Sequence, residues 1–109
     1  MANTFKLKTK ANVGVTTVGI DTAPAATTTV VIGITMANTS GSGVNVGVGI
    51  TRAGTTEDVK LLKNAPIPQG SSLEFMGGNK VVLETTDTLT VDSDTNSSVD
   101  AALTIMEIT

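Results

Sequence analysis

The sequence contains no cysteine, histidine, tryptophan or tyrosine, and only two aromatic residues, Phe5 and Phe75. Each absence removes a class of chemistry. Without Cys or His there is no Ser-His-Asp or Cys-His nucleophile, no zinc site of the usual kinds, no haem held through histidine and no disulfide framework. Without aromatics, single-stranded nucleic acid has no platform to stack on. Charge is also scarce. Only 16% of residues are charged, 7 basic against 10 acidic for a net charge of -3, and the pI is near 4.6. That balance disfavours a phosphate backbone, so no nucleic acid is expected as a partner. No apolar run approaches the roughly 18 residues of a spanning helix. The opening Met1-Ala2-Asn3-Thr4 lacks the apolar stretch of a secretory signal. No membrane, metal or cofactor is expected.

What remains is small and β-branched. A chain of 109 residues is long enough for one domain. Its core must be Val, Ile, Leu and Met, and its surface mostly neutral Thr, Ser, Asn and Gly. Such side chains suit a pleated sheet better than a helix. Turn-forming clusters interrupt the chain roughly every 8–12 residues, the spacing of sandwich strands. Sustained helical periodicity is absent, apart from a weak suggestion at Thr56 to Leu62.

The alternation is legible strand by strand. Phe5 and Leu7 share one face, and Lys6, Lys8 and Lys10 share the other. Val13 and Val15 give way to Val18 and Ile20, a change of parity that implies a bulge or turn at Thr16-Thr17. Asp21 to Ala26, with Pro24, reads as a loop. Val30, Ile32, Ile34 and Met36 form an inward row, Asn38 to Gly43 a turn, and Val44, Val46, Val48 and Ile50 a second row; together they predict a hairpin. Val59 and Leu61 start a short strand ending at Asn64. Ala65 to Gly70, with Pro66 and Pro68, reads as a connector or edge segment. Leu73 and Phe75 face inward, Gly77-Gly78-Asn79 turns the chain, and Val81 and Leu83 return. Leu89 and Val91, then Val99, Ala101, Leu103 and Ile105, complete the set. The expected fold is all-β: a two-sheet β-sandwich or jelly roll of about eight short antiparallel strands, one domain over residues 1–109 with 1–10 as an extended N-terminal strand or arm.

Chemistry-bearing motifs are few. Asp92-Ser93-Asp94-Thr95-Asn96 matches the first half of a calcium loop. Its sixth position is Ser97 rather than Gly and its twelfth Leu103 rather than Glu, so a polar hairpin turn is the better reading. Gly41 to Gly49 lacks the spacing of a phosphate loop and any following helix. Its parity is more informative, because Asn45, Gly47 and Gly49 leave one face of the strand almost bare. Close packing on another backbone and a flat contact surface both fit. Glu57-Asp58 and Glu84 with Asp87 read as solvated loop acids, not an acid-base pair. The sequons at Asn38 and Asn96 are chance matches in a Ser/Thr/Asn-rich chain. No catalytic residue is expected.

Two features suggest assembly. Lys6, Lys8 and Lys10 form a basic N-terminal face, whereas the chain from Glu84 onward carries six acids and no base. Opposite-sign patches orient copies or partners, although edge lysines also discourage unwanted strand pairing. Near the end, Ile105 continues the inward row while Met106 and Ile108 point the other way. A central strand, a bulge or an oligomer interface each accounts for that.

The segments Asn64-Ala65-Pro66-Ile67-Pro68-Gln69-Gly70-Ser71-Ser72-Leu73-Glu74, Lys80-Val81-Val82-Leu83-Glu84 and Met106-Glu107-Ile108-Thr109 resemble small all-β virion structural proteins of tailed bacteriophages, particularly those of marine and cyanobacterial hosts. The match lies mainly within residues 60–109. The resemblance implies a noncatalytic virion protein located at the head, neck or tail. The expected function is capsid decoration or cement, with self-association into a homo-oligomer and the major capsid protein as partner. A neck or tail accessory protein and a carbohydrate-binding host-adhesion module are the alternatives; the second is weakened by the missing Trp and Tyr. Lys6, Lys8, Lys10, Gly47, Gly49, Met106 and Ile108 are the candidate contact residues.

Overall fold

The computed structural model describes residues 3–54, 56–75 and 80–109, with Phe75 described by its backbone. Among the described residues nine strands follow one another: β1 (Asn3–Val13), β2 (Val18–Thr22), β3 (Thr28–Asn38), β4 (Val44–Arg52), β5 (Glu57–Ile67), β6 (Ser72–Phe75), β7 (Val81–Leu83), β8 (Asp87–Ser93) and β9 (Val99–Ile108). Among the described residues there is no helix; Thr56 to Leu62 belongs to the start of β5 rather than to a helical turn. One sheet has the order β1-β9-β3-β6, with β7 also on β3, and the other β2-β8-β4-β5. Every pairing is antiparallel.

The strand order follows from one long ribbon folded over itself. β1 pairs β9, β2 pairs β8, β3 pairs β7 and then β6, and β4 pairs β5. The residue numbers of partners, from Asn3 with Ile108 to Arg52 with Glu57, add to nearly the same total throughout, close to the chain length of 109. The ribbon then rolls up. β3 takes β9 as a second neighbour and β4 takes β8, which splits it into two facing sheets. Because β6 and β7 run in the same direction along β3, they are one interrupted edge strand, and the roll has eight strands of the jelly-roll kind.

This topology corrects three expectations. β3 and β4 are not a hairpin: they lie in different sheets, and residues 39–43 carry the chain across the sandwich. The same holds for Ser93 to Ser98, which joins β8 in one sheet to β9 in the other. Val81 to Leu83 does not return antiparallel to β6 but continues its direction; the turn expected at Gly77-Gly78-Asn79 lies outside the described residues.

The core is aliphatic, as the composition requires. One sheet contributes Val31, Ile34, Met36, Leu83, Val99, Ala101, Leu103 and Ile105, and the other Val44, Val46, Val48, Ile50, Ile67, Leu89 and Val91. Each such side chain stabilises the fold by about 1.5–3 kcal/mol through removal from water. The inward row of β3 differs from simple alternation. Its register against β9 shifts between Val31 and Gly33, so Val31, Ile34 and Met36 point in while Val30 and Ile32 turn out and stay half-buried. A bulge of this kind reverses the parity of everything beyond it.

Polar side chains pin the crossings between sheets. The Asn38 amide donates to the carbonyls of Ser42 (2.8 Å) and Ile67 (3.0 Å), and its oxygen accepts from Ser40 N and Oγ. At the other crossing, the Ser93 and Ser98 hydroxyls bond at 2.7 Å and Ser98 Oγ donates to Thr95 O. Pro66 sits on β5, opposite Asn45. Since β5 is an edge strand, the missing N–H there costs no ladder bond.

Candidate assembly surface

The outer face of the β1-β9-β3 sheet carries a row of exposed and half-buried apolar side chains. Directly opposed residues of an antiparallel pair share a face. Phe5 opposes Met106, Met106 opposes Val30, and Val30 opposes Val82, so four large apolar side chains form a ridge across four strands. Phe5 is 69% exposed, Leu7 67% and Val82 52%, while Val30, Ile32, Met106 and Ile108 are half-buried beside them. Exposed aliphatics are ordinary when scattered, whereas a contiguous row on a sheet face marks a candidate contact surface. Further along the same face the side chains shrink. A groove of about 330 Å³ runs over Thr9, Ala11, Thr35, Ala37 and Ala102, with Lys10 and Asp100 also in its lining. The ridge and the groove thus lie side by side on one sheet face.

Met106 and Ile108, expected to point away from the inward row, do so. β9 is a central strand between β1 and β3, yet its outward face there is left half open. The lysines are placed differently from the expected basic contact face. Lys6 opposes Ile105 and Lys8 opposes Leu103, so both lie on the inner side of the sheet. Their heads reach buried carboxylates: Lys6 Nζ is 2.8 Å from Glu107 Oε1, and Lys8 Nζ is 3.9 Å from Asp21 Oδ1. Lys10 opposes buried Ala101 and remains exposed. Phe5 and Leu7, on the other face of the same strand, are exposed, and Lys6 stays 44% open to solvent as well.

Gly47 and Gly49 are buried, so the flat contact face expected there is absent. A Cβ at Gly47 would run into the Asp92 carboxylate, and one at Gly49 would come within 2.8 Å of Val59 O and 3.2 Å of Thr90 Oγ1. Neighbouring strands fill the bare face; close intramolecular packing was the other expected reading and is the one realised.

The acids of Asp92 to Asn96 diverge rather than converge. Asp92 Oδ2 accepts from Thr17 Oγ1 (3.2 Å) and lies 3.9 Å from Lys60 Nζ, whereas Asp94 Oδ1 accepts from Asn45 N (3.1 Å). Glu84 and Asp87, read as solvated, hold Arg52 between them. Its Nε donates to both Asp87 oxygens at 3.2 Å, and an Nη donates to Glu84 at 2.5 Å. These contacts raise the Arg52 pKa, Asp87 more than Glu84. The cluster clamps β4 to the turn before β8 and flanks a groove of about 400 Å³ with Ile50, Val59 and Val82.

Two residues escaped the sequence reading. Asp21 was placed in a loop, but a register shift between Gly19 and Asp21 turns it inward opposite Leu89. Burial raises its pKa; Lys8 opposes that rise and Glu107 adds to it. Glu107 is one of the six acids from Glu84 onward, and the acidic run gives no sign that it differs from the others. Its parity with Ile105 and Leu103 was the available signal, and it is buried.

No family model matches the chain, and no curated protein matches its sequence. Likeness is found among solved structures. A chain of the capsid of Helicobacter pylori bacteriophage KHP30 matches over 98% of this chain and 87% of its own, with a TM-score of 0.58 at 8% identity. A chain of the T13 IBDV viral particle matches over 96% of this chain and 30% of its own, with a TM-score of 0.58 at 14% identity. A chain of Bacillus endospore appendages, described as disulfide-linked pili, matches over 99% and 87%, with a TM-score of 0.56 at 14% identity. At such identities the shared property is the fold.

Proposed function

We propose that this chain is a noncatalytic structural protein of a bacteriophage virion that self-associates and binds other particle proteins, the major capsid protein foremost. The observation that carries the proposal is the uncharged Phe5-Met106-Val30-Val82 ridge on the outside of a sheet whose fold recurs in viral capsids. A chain so poor in titratable groups has little to catalyse with, and an exposed apolar row gives it something to bind with. Among positions in the particle we favour capsid decoration or cement, on a tailed phage of the type the 60–109 segment resembles. A lone sandwich without a fibrous repeat suits a lattice position, where many weak contacts act together.

The test has two arms. Sedimentation of the purified chain should show concentration-dependent association that Phe5→Ser/Leu7→Ser abolishes, and the chain should co-sediment with capsids. A copy number in purified virions that scales with the capsid lattice supports cement; a single ring's worth of copies moves the protein to the neck or tail. A strict monomer that ignores capsids ends the proposal. The likeness to the endospore appendage favours a second reading, a filament subunit, and electron microscopy of the concentrated chain separates the two. Such a filament would lack disulfide links, since the sequence has no cysteine.

A further inference from the structure

β1 is attached to the rest of the molecule in an unusual way. Of its residues from Asn3 to Asn12 all are exposed except Lys8, which is half-buried, and the buried core begins only at Val13. The strand is an edge, held on one side by its ladder with β9 from Asn3 to Lys10. That ladder then breaks: the register shifts between Lys10 and Val13, and Asn12 takes a left-handed φ of 57°. Residues 14–17 follow without strand structure, crossing to β2 in the other sheet. From Asn3 to Asn12 the strand buries no apolar side chain. The chain is pinned at and beyond its end, where Asn12 N donates to Asp100 Oδ1, Ser98 N to Val13 O and Ser93 N to Gly14 O; the stretch before that anchor is a separable element.

Its charges say what could replace it. β1 carries three lysines and no acid. Two of them, Lys6 and Lys8, supply counter-charge to Glu107 and Asp21, whose side chains are 9% and 5% exposed. Removing β1 would take the lysine counter-charge from both carboxylates, which are otherwise almost enclosed by the fold, and that loss is unfavourable. The vacated edge therefore selects an extended strand with lysines two residues apart on its inner side. The same strand of a second copy meets that demand in full, and exchange of an identical element creates no new strain in either body.

We propose that β1 is a transferable strand, exchanged between copies so that Lys6 and Lys8 of one chain pair with Glu107 and Asp21 of the next. The exchanged strand carries Phe5 and Leu7 with it, so the outer ridge is rebuilt on each body from two chains. This linkage goes beyond the outer-face contact and does not depend on it.

The absence of cysteine gives a clean test. Leu7 and Thr104 oppose each other across β1 and β9, as Thr35 and Ala102 do across β3 and β9; opposed Cα atoms lie within disulfide range. Chains carrying Leu7→Cys or Thr104→Cys alone, with tags of different mass, are mixed, unfolded, refolded together and oxidised. The expected product is a disulfide-linked heterodimer, in clear excess over that from Thr35→Cys mixed with Ala102→Cys. Adding Lys6→Gln to the Leu7→Cys chain should reduce it. The double variant Leu7→Cys/Thr104→Cys checks the register and should cross-link. If it closes only within single chains and the mixed singles give no more heterodimer than the control, β1 stays at home and the proposal fails. If the double variant does not cross-link at all, the β1 placement and the proposal fail together. Association seen by sedimentation without the heterodimer overturns exchange while leaving the assembly reading intact.

Discussion

Lys6 on the first strand and Glu107 on the last meet beneath the sheet, Nζ to Oε1 at 2.8 Å, with the lysine half in solvent and the carboxylate almost fully buried. The asymmetry of exposure dictates the mutational result. Glu107→Gln leaves an exposed ammonium that water can serve. Lys6→Met leaves a buried carboxylate with its nearest counter-charge gone. Lys6→Met should therefore lower Tm more than Glu107→Gln, and the double variant should recover part of the loss; equal effects from the two singles would contradict the pairing. The hydrogen bond and charge of Glu107 raise the Lys6 pKa above 10.5. The pair's stabilisation is thus complete below that value and is lost as pH climbs through the raised one.

Asp21 makes the opposite kind of statement at acid pH. Burial lifts its carboxyl above the ordinary 3.8 despite Lys8, and Oδ2 has no hydrogen-bond partner among the described residues. The folded state holds this proton more tightly than the unfolded chain, so stability falls as pH rises from the unfolded value through the folded one. Asp21→Asn is uncharged throughout. It should flatten that fall in urea titrations between about pH 3 and 7, and should be at least as stable as the parent at neutral pH. A variant with the parent's slope would assign the acid dependence to another group.

These two acids mark where the sequence was readable and where it was not. Alternation in β4, β8 and β9 put Val44 to Ile50, Leu89, Val91 and Val99 to Ile105 inside because those strands hold one parity over their inward rows. It failed on β3 and β2, where bulges at Ile32 and Ile20 exchange the faces. A bulge is set by partner register, which a single strand does not encode. Sheet membership was also hidden: Asn38 to Gly43 and Ser93 to Ser98 are rich in turn-formers whether the chain reverses within a sheet or crosses to the other. The outer ridge was half visible, in Met106 and Ile108, but its continuation through Phe5, Val30 and Val82 required knowing which strands lie side by side.

Asn38 tests the crossing directly. Its amide supplies two donors to carbonyls 29 and 4 residues away in sequence, so Asn38→Ala strands buried acceptors and should cost about 2–3 kcal/mol. Asn38→Asp should be worse at neutral pH, because a carboxylate faces the Ser42 and Ile67 carbonyls that now receive N–H groups. Denaturant titration gives the order; an aspartate variant more stable than the alanine one would show that these bonds do not hold the crossing.

The buried glycines of β4 predict a ranking. At Gly49 the added methyl meets the Val59 carbonyl, which moves only with the backbone, whereas at Gly47 the first obstacle is the Asp92 side chain. A Cβ added at Gly41 would meet nothing within 4 Å among the described residues outside its chain neighbours. Gly49→Ala should cost about 1–3 kcal/mol, Gly47→Ala less, and Gly41→Ala little. Asp92→Ala should relieve much of the Gly47→Ala loss. Equal losses at Gly41 and Gly49 would mean that the β4–β5 approach is looser than described.

The constant partner total of the ribbon carries a kinetic consequence. Closing β4 on β5 requires ordering only residues 53–56, but pairing β1 with β9 first would close a loop of nearly the whole chain, at greater entropic cost. Once β4 and β5 are paired, each further strand pair closes a short increment, so the ribbon forms from its middle outward. Val48 and Val99 are both fully buried, on β4 and β9, and truncation to Ala at either should cost about 2 kcal/mol. Val48→Ala should act mainly on the folding rate and Val99→Ala mainly on unfolding, giving a high φ-value at the centre of the ribbon and a low one at its ends. The reverse order would mean that the ends meet first, and a β1 formed that early would be a poor candidate for exchange, since it would be fixed before neighbouring copies could compete for its place.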